Sequence, residues 1–216
     1  MRRAMNFLSR LPLRMVGIGT AVLATIVVFT ISTSGQPPDQ RSEDSDVLRL
    51  DPALDRLVPT GAKVEKVAGN LQRGEGPLWI RNGGYLLLSD LNEIMKWSPT
   101  DGLSEFRHRT FEGPAPAGIR VGTNGLTLDR QGRVVAVEHG DRRVVRFEKN
   151  GKITVLADQY MGRRFNSPND LVIKRNGDVY FTDPAYLAQS APTVPEFRQE
   201  LEVTGVYRVT TTGNVQ

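Results

Sequence analysis

Short runs of alternating apolar and polar residues, each bounded by a turn, fill the chain after residue 61. Runs such as YLLLSD, RVVAVEH and DVYFTD are flanked by Gly, Asn and Asp, which is the pattern of antiparallel strands joined by tight turns. Turn glycines recur at spacings of 48 and 45 residues, and an acid follows each glycine by six residues. These positions are Gly84, Gly132 and Gly177, followed by Asp90, Glu138 and Asp183. The pattern predicts one unit of strands repeated three times.

The length of the repeat distinguishes between two all-β folds. A period of about 40–50 residues carrying four strands is typical of β-propeller blades. A β-sandwich of unrelated hairpins is the alternative, but it would leave the regular spacing to coincidence. Residues 61–216 have room for about three blades, and a closed ring needs about four or more. We therefore expect a partial β-propeller over 61–216, the N-terminal half of a longer protein truncated at its C-terminus.

An uncharged apolar run over residues 15–32 stands apart from this pattern. It follows four arginines and no acid, and it is about as long as a bilayer-spanning helix. A buried core helix would leave the arginines unexplained. Residues 1–34 are therefore predicted to be a signal peptide or a membrane anchor, and the sequence leaves both open. Either one would export the protein to a periplasmic or other extracytoplasmic compartment, and an uncleaved helix would hold it on the membrane.

Polar residues dominate the next segment, residues 35–60. Its Pro, Ser and acidic residues cannot bury enough apolar surface to fold alone. We predict a flexible polar tether here, with one short turn near residues 52–57.

The net charge of +4 does not indicate a nucleic-acid partner. Four of the 28 basic residues lie in the first 32 positions, so the remainder carries 24 basic and 24 acidic residues. Binding to phosphates needs a surplus of clustered cations, which this balance does not provide. The absence of cysteine also excludes a thiol nucleophile and a zinc–thiolate site.

Oxygen-bearing side chains begin the first strand of each predicted unit. The motifs EGPLW, TNGLTLD and SPNDLV place Glu75, Asn124 and Asn169 there. The first strands of propeller blades line the central channel, so we expect these three side chains to meet at one end of it. Carboxylate and amide oxygens without soft donors suit a hard cation such as calcium. Each motif taken singly also reads as a turn former, whereas their matching positions in successive repeats favour a site.

The same motifs carry a resemblance to a known family. EGPLW, NGLTLDRQGRVVAVEHGDRRVVRFEKNGKITVLAD, FNSPNDLVIKRNGDVYFTDPAY and GVYRV closely resemble the SMP-30/gluconolactonase/LRE-like family, over about residues 62–216. The resemblance implies a six-bladed propeller with one divalent metal in the channel and a lactone above it. The metal implied is calcium first, with zinc, magnesium and manganese as alternatives.

The resemblance also implies roles for particular residues. Glu75 and Asn169 correspond to metal ligands of the family, and Asn124 corresponds to a residue that contacts substrate or water. Some members carry an Arg two residues before that Asn, where this chain has Gly122, so this substrate contact is in doubt. The remaining ligand, an Asp proposed as the catalytic base, belongs to a later blade beyond Gln216. The catalytic residue therefore stays unknown.

Two further residues are candidates for the substrate side of the channel. His139 and Asp183 end the second strands of their units. His139 is either a proton shuttle or a structural hydrogen-bonding residue. Asp183 either lines the site or caps a turn. The segment 184–204 is predicted to be a proline-containing loop that closes over the mouth of the domain.

The function predicted from these observations is metal-dependent hydrolysis of a sugar lactone or a similar cyclic ester. A covalent serine mechanism is not expected, because no G-x-S-x-G motif occurs. The alternative is a membrane-tethered propeller that binds a ligand without turnover, since a fold alone does not decide function. With an incomplete ring, this fragment itself is expected to be inactive.

Overall fold

The computed structural model describes residues 47–216. The chain divides into two compact units, residues 1–64 and 65–216. The predicted signal or anchor and most of the predicted tether lie outside the described residues. Within the described part of the chain, no helix is long and apolar enough to cross a membrane.

The described part of the first unit contains one short 3-10 helix, Pro52–Arg56. It coincides with the turn predicted near residues 52–57. Asp51 caps its start, because the side chain accepts a 2.7 Å hydrogen bond from the amide of Ala53. Arg49 crosses the end of this turn by pairing with Asp55 and donating to the carbonyl of Val58 at 3.0 Å.

Two four-stranded antiparallel sheets open the second unit. The first consists of β1 (Glu75–Ile80), β2 (Tyr85–Asp90), β3 (Glu93–Ser98) and β4 (Gly102–Arg107), paired in chain order. The second repeats the arrangement with β5 (Thr123–Leu128), β6 (Val134–Glu138), β7 (Arg143–Phe147) and β8 (Ile153–Ala157). Each strand pairs with the next through a tight turn, so both sheets are up-and-down meanders, as the repeat predicts.

A hairpin and a third sheet complete the described chain. The hairpin pairs β9 (Gln159–Tyr160) with β10 (Arg163–Arg164). The third sheet contains β11 (Leu171–Ile173), β12 (Val179–Asp183) and β13 (Gly205–Val209), and a single bridge joins Val209 to Val215. The all-β prediction and the three repeated sheets are confirmed. The sheets of the described residues do not close into a ring.

Apolar side chains from alternate strand positions fill the spaces between neighbouring sheets. Between the first and second sheets the core contains Leu87, Ile94, Ala136 and Val145, none of them exposed. Between the second and third sheets Phe165 packs edge-on against Phe181, with ring centroids 4.8 Å apart. Burial of this kind contributes about 25 cal/mol per Å² of apolar surface, so the sheet-to-sheet contacts hold the repeats together.

The acid that follows each turn glycine has the same task in two of the three sheets. Asp90 accepts hydrogen bonds from the consecutive backbone amides of Gln72 and Arg73, just before β1 begins. Asp183 does the same for Asn166 and Ser167, at 2.8 Å each, just before Asn169. These carboxylates therefore fix the segments that lead into the first strand of each sheet.

The inserted segment 184–204 is more ordered than a plain loop. It forms α1 (Tyr186–Ser190) and a 3-10 turn, Pro195–Phe197. Its apolar residues Leu187 and Phe197 pack against Phe111 and Val121 of the connection between β4 and β5. Arg142 anchors the inserted segment by donating to the carbonyl of Glu196 at 3.0 Å.

Candidate functional site

The first strands of the three sheets lie side by side. β5 contacts both β1 and β11, and the amide of Gly125 donates a 2.8 Å hydrogen bond to the carbonyl of Asn169. Gly76 has a φ of 56°, and any side chain there would collide with the carbonyl oxygen of Asn124. The glycines after Glu75 and Asn124 thus allow neighbouring backbones to approach closely.

β-Bulges lie where β1 and β5 begin. The register of β1 against β2 shifts between Glu75 and Leu78, and that of β5 against β6 shifts between Thr123 and Leu126. A bulge leaves one residue out of the regular alternation and re-aims its side chain. Both shifts fall at the motifs that carry the predicted site residues.

One cavity collects most of the predicted site. It has a volume of about 310 Å³ and contains four of the five predicted residues. They are Glu75, Asn124, His139 and Asn169. Each comes from the beginning of a first strand or the end of a second strand, so the fold brings them together from three sheets as the repeat predicts.

The two asparagine side chains of the cavity lack protein partners. Asn124 is only 4% exposed, and Asn169 is partly buried. Among the described residues no hydrogen bond is made by the side-chain amide of either one, although their backbone groups are paired. Each amide can therefore bond to a ligand in the cavity without giving up a protein partner.

The carboxylate of Glu75 is paired with a cation that the sequence analysis did not find. Nη1 of Arg120 contacts Oε1 of Glu75, and Nη2 donates to the carbonyl of Arg73 at 2.9 Å. The Arg120 side chain is only 9% exposed and lines the same cavity. It brings a guanidinium next to the predicted metal ligand.

Gly122 explains why the arginine lies where it does. The amide of Gly122 donates to the carbonyl of Leu91 at 2.9 Å, and a side chain at 122 would collide with that carbonyl and with Thr110. No arginine fits at this position. Arg120, two residues earlier, reaches the cavity instead. A signal was present in the sequence, since Arg120 precedes Asn124 by four residues, but only the packing of the loop shows its direction.

His139 is held as a neutral imidazole. Its Nδ1 lies 3.2 Å from the carbonyl oxygen of Pro168, which can only accept, so Nδ1 carries the proton. Burial lowers the pKa of His139 to about 4, aided by the charge of Arg120 and opposed by the Pro168 carbonyl and Glu75. At neutral pH, Nε2 therefore offers a lone pair and not a proton.

Asp183, the fifth predicted residue, does not line the cavity. It is fully buried, and both of its oxygens accept backbone amides of the segment before Asn169. Burial raises its pKa to about 6, against the effect of these two hydrogen bonds and of Arg142. Of the two roles considered for it, its contacts are those of a turn cap.

The inserted segment supplies one wall of the cavity. Tyr186, Leu187 and Ser190 of α1 line it, and the ring of Tyr186 lies 6.4 Å from that of His139, centroid to centroid. Ile119 of the β4–β5 connection lines the cavity too. The sequence predicts a covering segment but not these residues, because nothing in a loop sequence shows which side chains face the cavity.

The donor set fits a hard divalent cation. One carboxylate and two amides line the cavity without any sulfur, and the amide groups have no competing protein partner within the described residues. A different group, Glu93, Glu105 and His108, has ligand atoms within 4.8 Å of one another. Two of its three residues are exposed on the first sheet, it contains no predicted site residue, and His108 Nδ1 lies 3.1 Å from Glu105.

Comparison with known proteins shows the family of the chain. The sequence profile of the SMP-30/gluconolactonase/LRE-like region matches residues 73–216. A gluconolactonase from Zymomonas mobilis subsp. mobilis is 32% identical over 203 residues, which cover 90% of this chain and 56% of that protein.

Solved structures give the same likeness. The fold is similar to that of a gluconolactonase from Xanthomonas campestris, with a TM-score of 0.55 and 31% identity over 68% of this chain and 47% of that one. A structural-genomics crystal structure of a candidate gluconolactonase gives a TM-score of 0.60 and 29% identity, over 75% of this chain and 54% of that one. The chain thus spans about half the length of the relatives it matches.

Proposed function

Because the chain belongs to the SMP-30/gluconolactonase/LRE-like family, we propose that it provides the first three blades of a six-bladed propeller that hydrolyses a sugar lactone or a similar cyclic ester with a divalent metal. The observation that carries the proposal is the meeting of Glu75, Asn124, His139 and Asn169 around one cavity of about 310 Å³. Calcium is the proposed ion, because all the donors are oxygens.

Glu75 and Asn169 would hold the metal. When bound, the metal would polarise the lactone carbonyl and lower the pKa of a bound water molecule toward the neutral range. The unpartnered amide of Asn124 would donate to, or accept from, a hydroxyl of the sugar ring and so fix its orientation. The Asp that would complete the ligand set and accept the proton is proposed to come from a later blade.

His139 would assist as a hydrogen-bond acceptor. Its lowered pKa keeps Nε2 unprotonated over the neutral range, so it can accept a hydrogen bond from a substrate hydroxyl or a water molecule. Tyr186, Leu187 and Ile119 would cover the ring from above and limit access of bulk water. We also retain export to an extracytoplasmic compartment as a proposal, based on the N-terminal apolar run.

The test measures binding and turnover separately. The purified chain is titrated with CaCl2 by calorimetry, and residues 61–216 joined to the C-terminal half of a family member are assayed with glucono-δ-lactone. We expect weak binding at one calcium site in the chain, because one of the proposed ligands comes from a later blade, and lactone hydrolysis in the chimera that stops on addition of EDTA. Glu75→Gln should remove both. Hydrolysis that continues after metal stripping would contradict the metal-dependent mechanism, and lactone binding without any turnover would favour the non-catalytic alternative.

A further inference from the structure

We propose that Arg120 competes with the divalent metal for Glu75, so that metal binding has to displace a guanidinium that belongs to the protein. The inference rests on the proposed function, since it takes Glu75 to be a metal ligand. It assigns to Arg120 a positioning role and predicts that this residue sets the metal affinity of the site.

The contacts of the two residues place them in direct competition. Oε1 of Glu75 contacts Nη1 of Arg120, and both side chains line the cavity that contains Asn124 and Asn169. A carboxylate oxygen that accepts a charge-assisted hydrogen bond is less available to a metal ion. A divalent cation at Glu75 and the guanidinium would also repel each other at this distance.

The way Arg120 is held makes the displacement feasible. Apart from Glu75, its side chain has one bond within the described chain, from Nη2 to the carbonyl of Arg73, and its buried Nε has no partner there. The Glu75 side chain is 49% exposed, so water and ions can reach the carboxylate. Loss of the ion pair therefore leaves Arg120 tethered at one point while the rest of the guanidinium remains in the cavity.

Electroneutrality explains why such a pair would be retained. Without a metal, Glu75 would be an uncompensated acid at the mouth of the channel beside two neutral amides. Arg120 neutralises the charge of Glu75 and holds its side chain in place until a divalent cation binds. The measured metal affinity then includes the free energy needed to break the ion pair, as for any two ligands that share one group.

The experiment measures calcium binding by calorimetric titration with CaCl2 in the whole chain and in the chimera that supplies the later-blade Asp, each as wild type and as four variants. In Arg120→Gln we expect the Kd for calcium to fall about tenfold, within the usual range for coupled binding. Arg73→Gln is the matched control, because Arg73 lines the same cavity but its side chain forms no ion pair with Glu75 within the described residues. In this control the Kd should change by less than about twofold, the effect of an exposed charge. Arg120→Lys keeps the charge but not the planar guanidinium with its two Nη groups. Its Kd for calcium should lie between those of the wild type and Arg120→Gln.

The outcomes separate this inference from the proposed function. Equal tightening in the Arg73 and Arg120 variants would mean a general charge effect and would overturn the competition. Unchanged or weaker binding in both Arg120→Gln and Arg120→Lys, each shown to be folded by its melting curve, would overturn it as well. If Glu75→Gln binds calcium like the wild type, or if no version binds it, the metal site itself fails. Terbium luminescence excited through tyrosine gives a second readout, since Tyr186 lines the cavity.

Discussion

The cavities at the two ends of the repeated sheets differ in whether their polar side chains have hydrogen-bond partners. At the turn-glycine end, the second and third sheets enclose a cavity of about 680 Å³, more than twice the 310 Å³ at the end where the first strands begin. Two of the charged residues that line it bind each other, because Arg133 donates to Asp129 at 2.7 Å, and Arg133 also donates to the nearby Glu148 at 3.1 Å. The smaller cavity instead contains two amides without partners. Cavity size and free side-chain amides therefore point to opposite ends of the sheets.

The largest expected effect comes from Glu75→Gln. Loss of the one carboxylate that the described residues bring to the smaller cavity should reduce lactone turnover by about 100-fold or more, as loss of a metal ligand or its support commonly does. Glu148→Gln, which removes the partner of Arg133 beside the larger cavity, is the matched change and should leave turnover within about twofold, because Glu148 does not line the smaller cavity. The measurement is kcat/KM in the chimera. Comparable losses in both variants would end the distinction between the two cavities.

Asp183→Asn is expected to lower the free energy of unfolding by about 2 kcal/mol, because a buried acceptor of two backbone amides is weakened. Asp129→Asn is the counterpart at the turn end, where Asp129 also accepts two backbone amides but keeps part of its side chain exposed. We expect it to cost about 1 kcal/mol, because its charge-assisted bond to Arg133 is weakened as well. Urea unfolding of both variants measures the difference. A greater loss for Asp129→Asn would show that the site end does not depend on Asp183.

Asn124→Ala should lower kcat/KM in the chimera by about tenfold, the effect of one or two hydrogen bonds to substrate. Asn176→Ala is its control, since Asn176 lines the larger cavity and its amide already donates to Asp178 at 2.9 Å. That variant should keep its activity. If Asn124→Ala lowers the free energy of unfolding but leaves kcat/KM unchanged, the amide has a structural role only.

The smallest expected effect concerns pH. Burial raises the pKa of Glu138 to about 7 despite its pairing with Arg143, whereas hydrogen bonds from Thr154 and Arg146 lower the pKa of Glu148. The native state therefore keeps the Glu138 proton between pH 4.5 and about 7, where the unfolded chain has lost it. Its contribution to stability is present at low pH and lost as pH rises through 7, and the contribution of Glu148 is lost as pH falls. Chemical unfolding at pH 5 and pH 8 should show a smaller fall in the free energy of unfolding for Glu138→Gln than for the wild type. An identical slope in both proteins would contradict the raised pKa.

The sequence predicted the local features of the fold well. Strands, turns and their spacing follow from alternation and from glycine, which act within a few residues. The first strands therefore began where the motifs indicated, and Glu75, Asn124 and Asn169 came to line one cavity. Export, the tether and the roles of these residues in catalysis stay predictions.

What the sequence missed depends on distant contacts. Arg120 pairs with a residue 45 positions earlier in the chain, and the close packing at Gly122 leaves no room there for a side chain. The inward-facing residues of α1 likewise follow from the packing of Leu187 on the β4–β5 connection. The amino-acid sequence by itself determined the repeat and the residues at its strand starts, since periodicity and turn chemistry are local. Only the tertiary structure decided which charge faces Glu75 and which acid is a cap, because both depend on backbone packing between sheets.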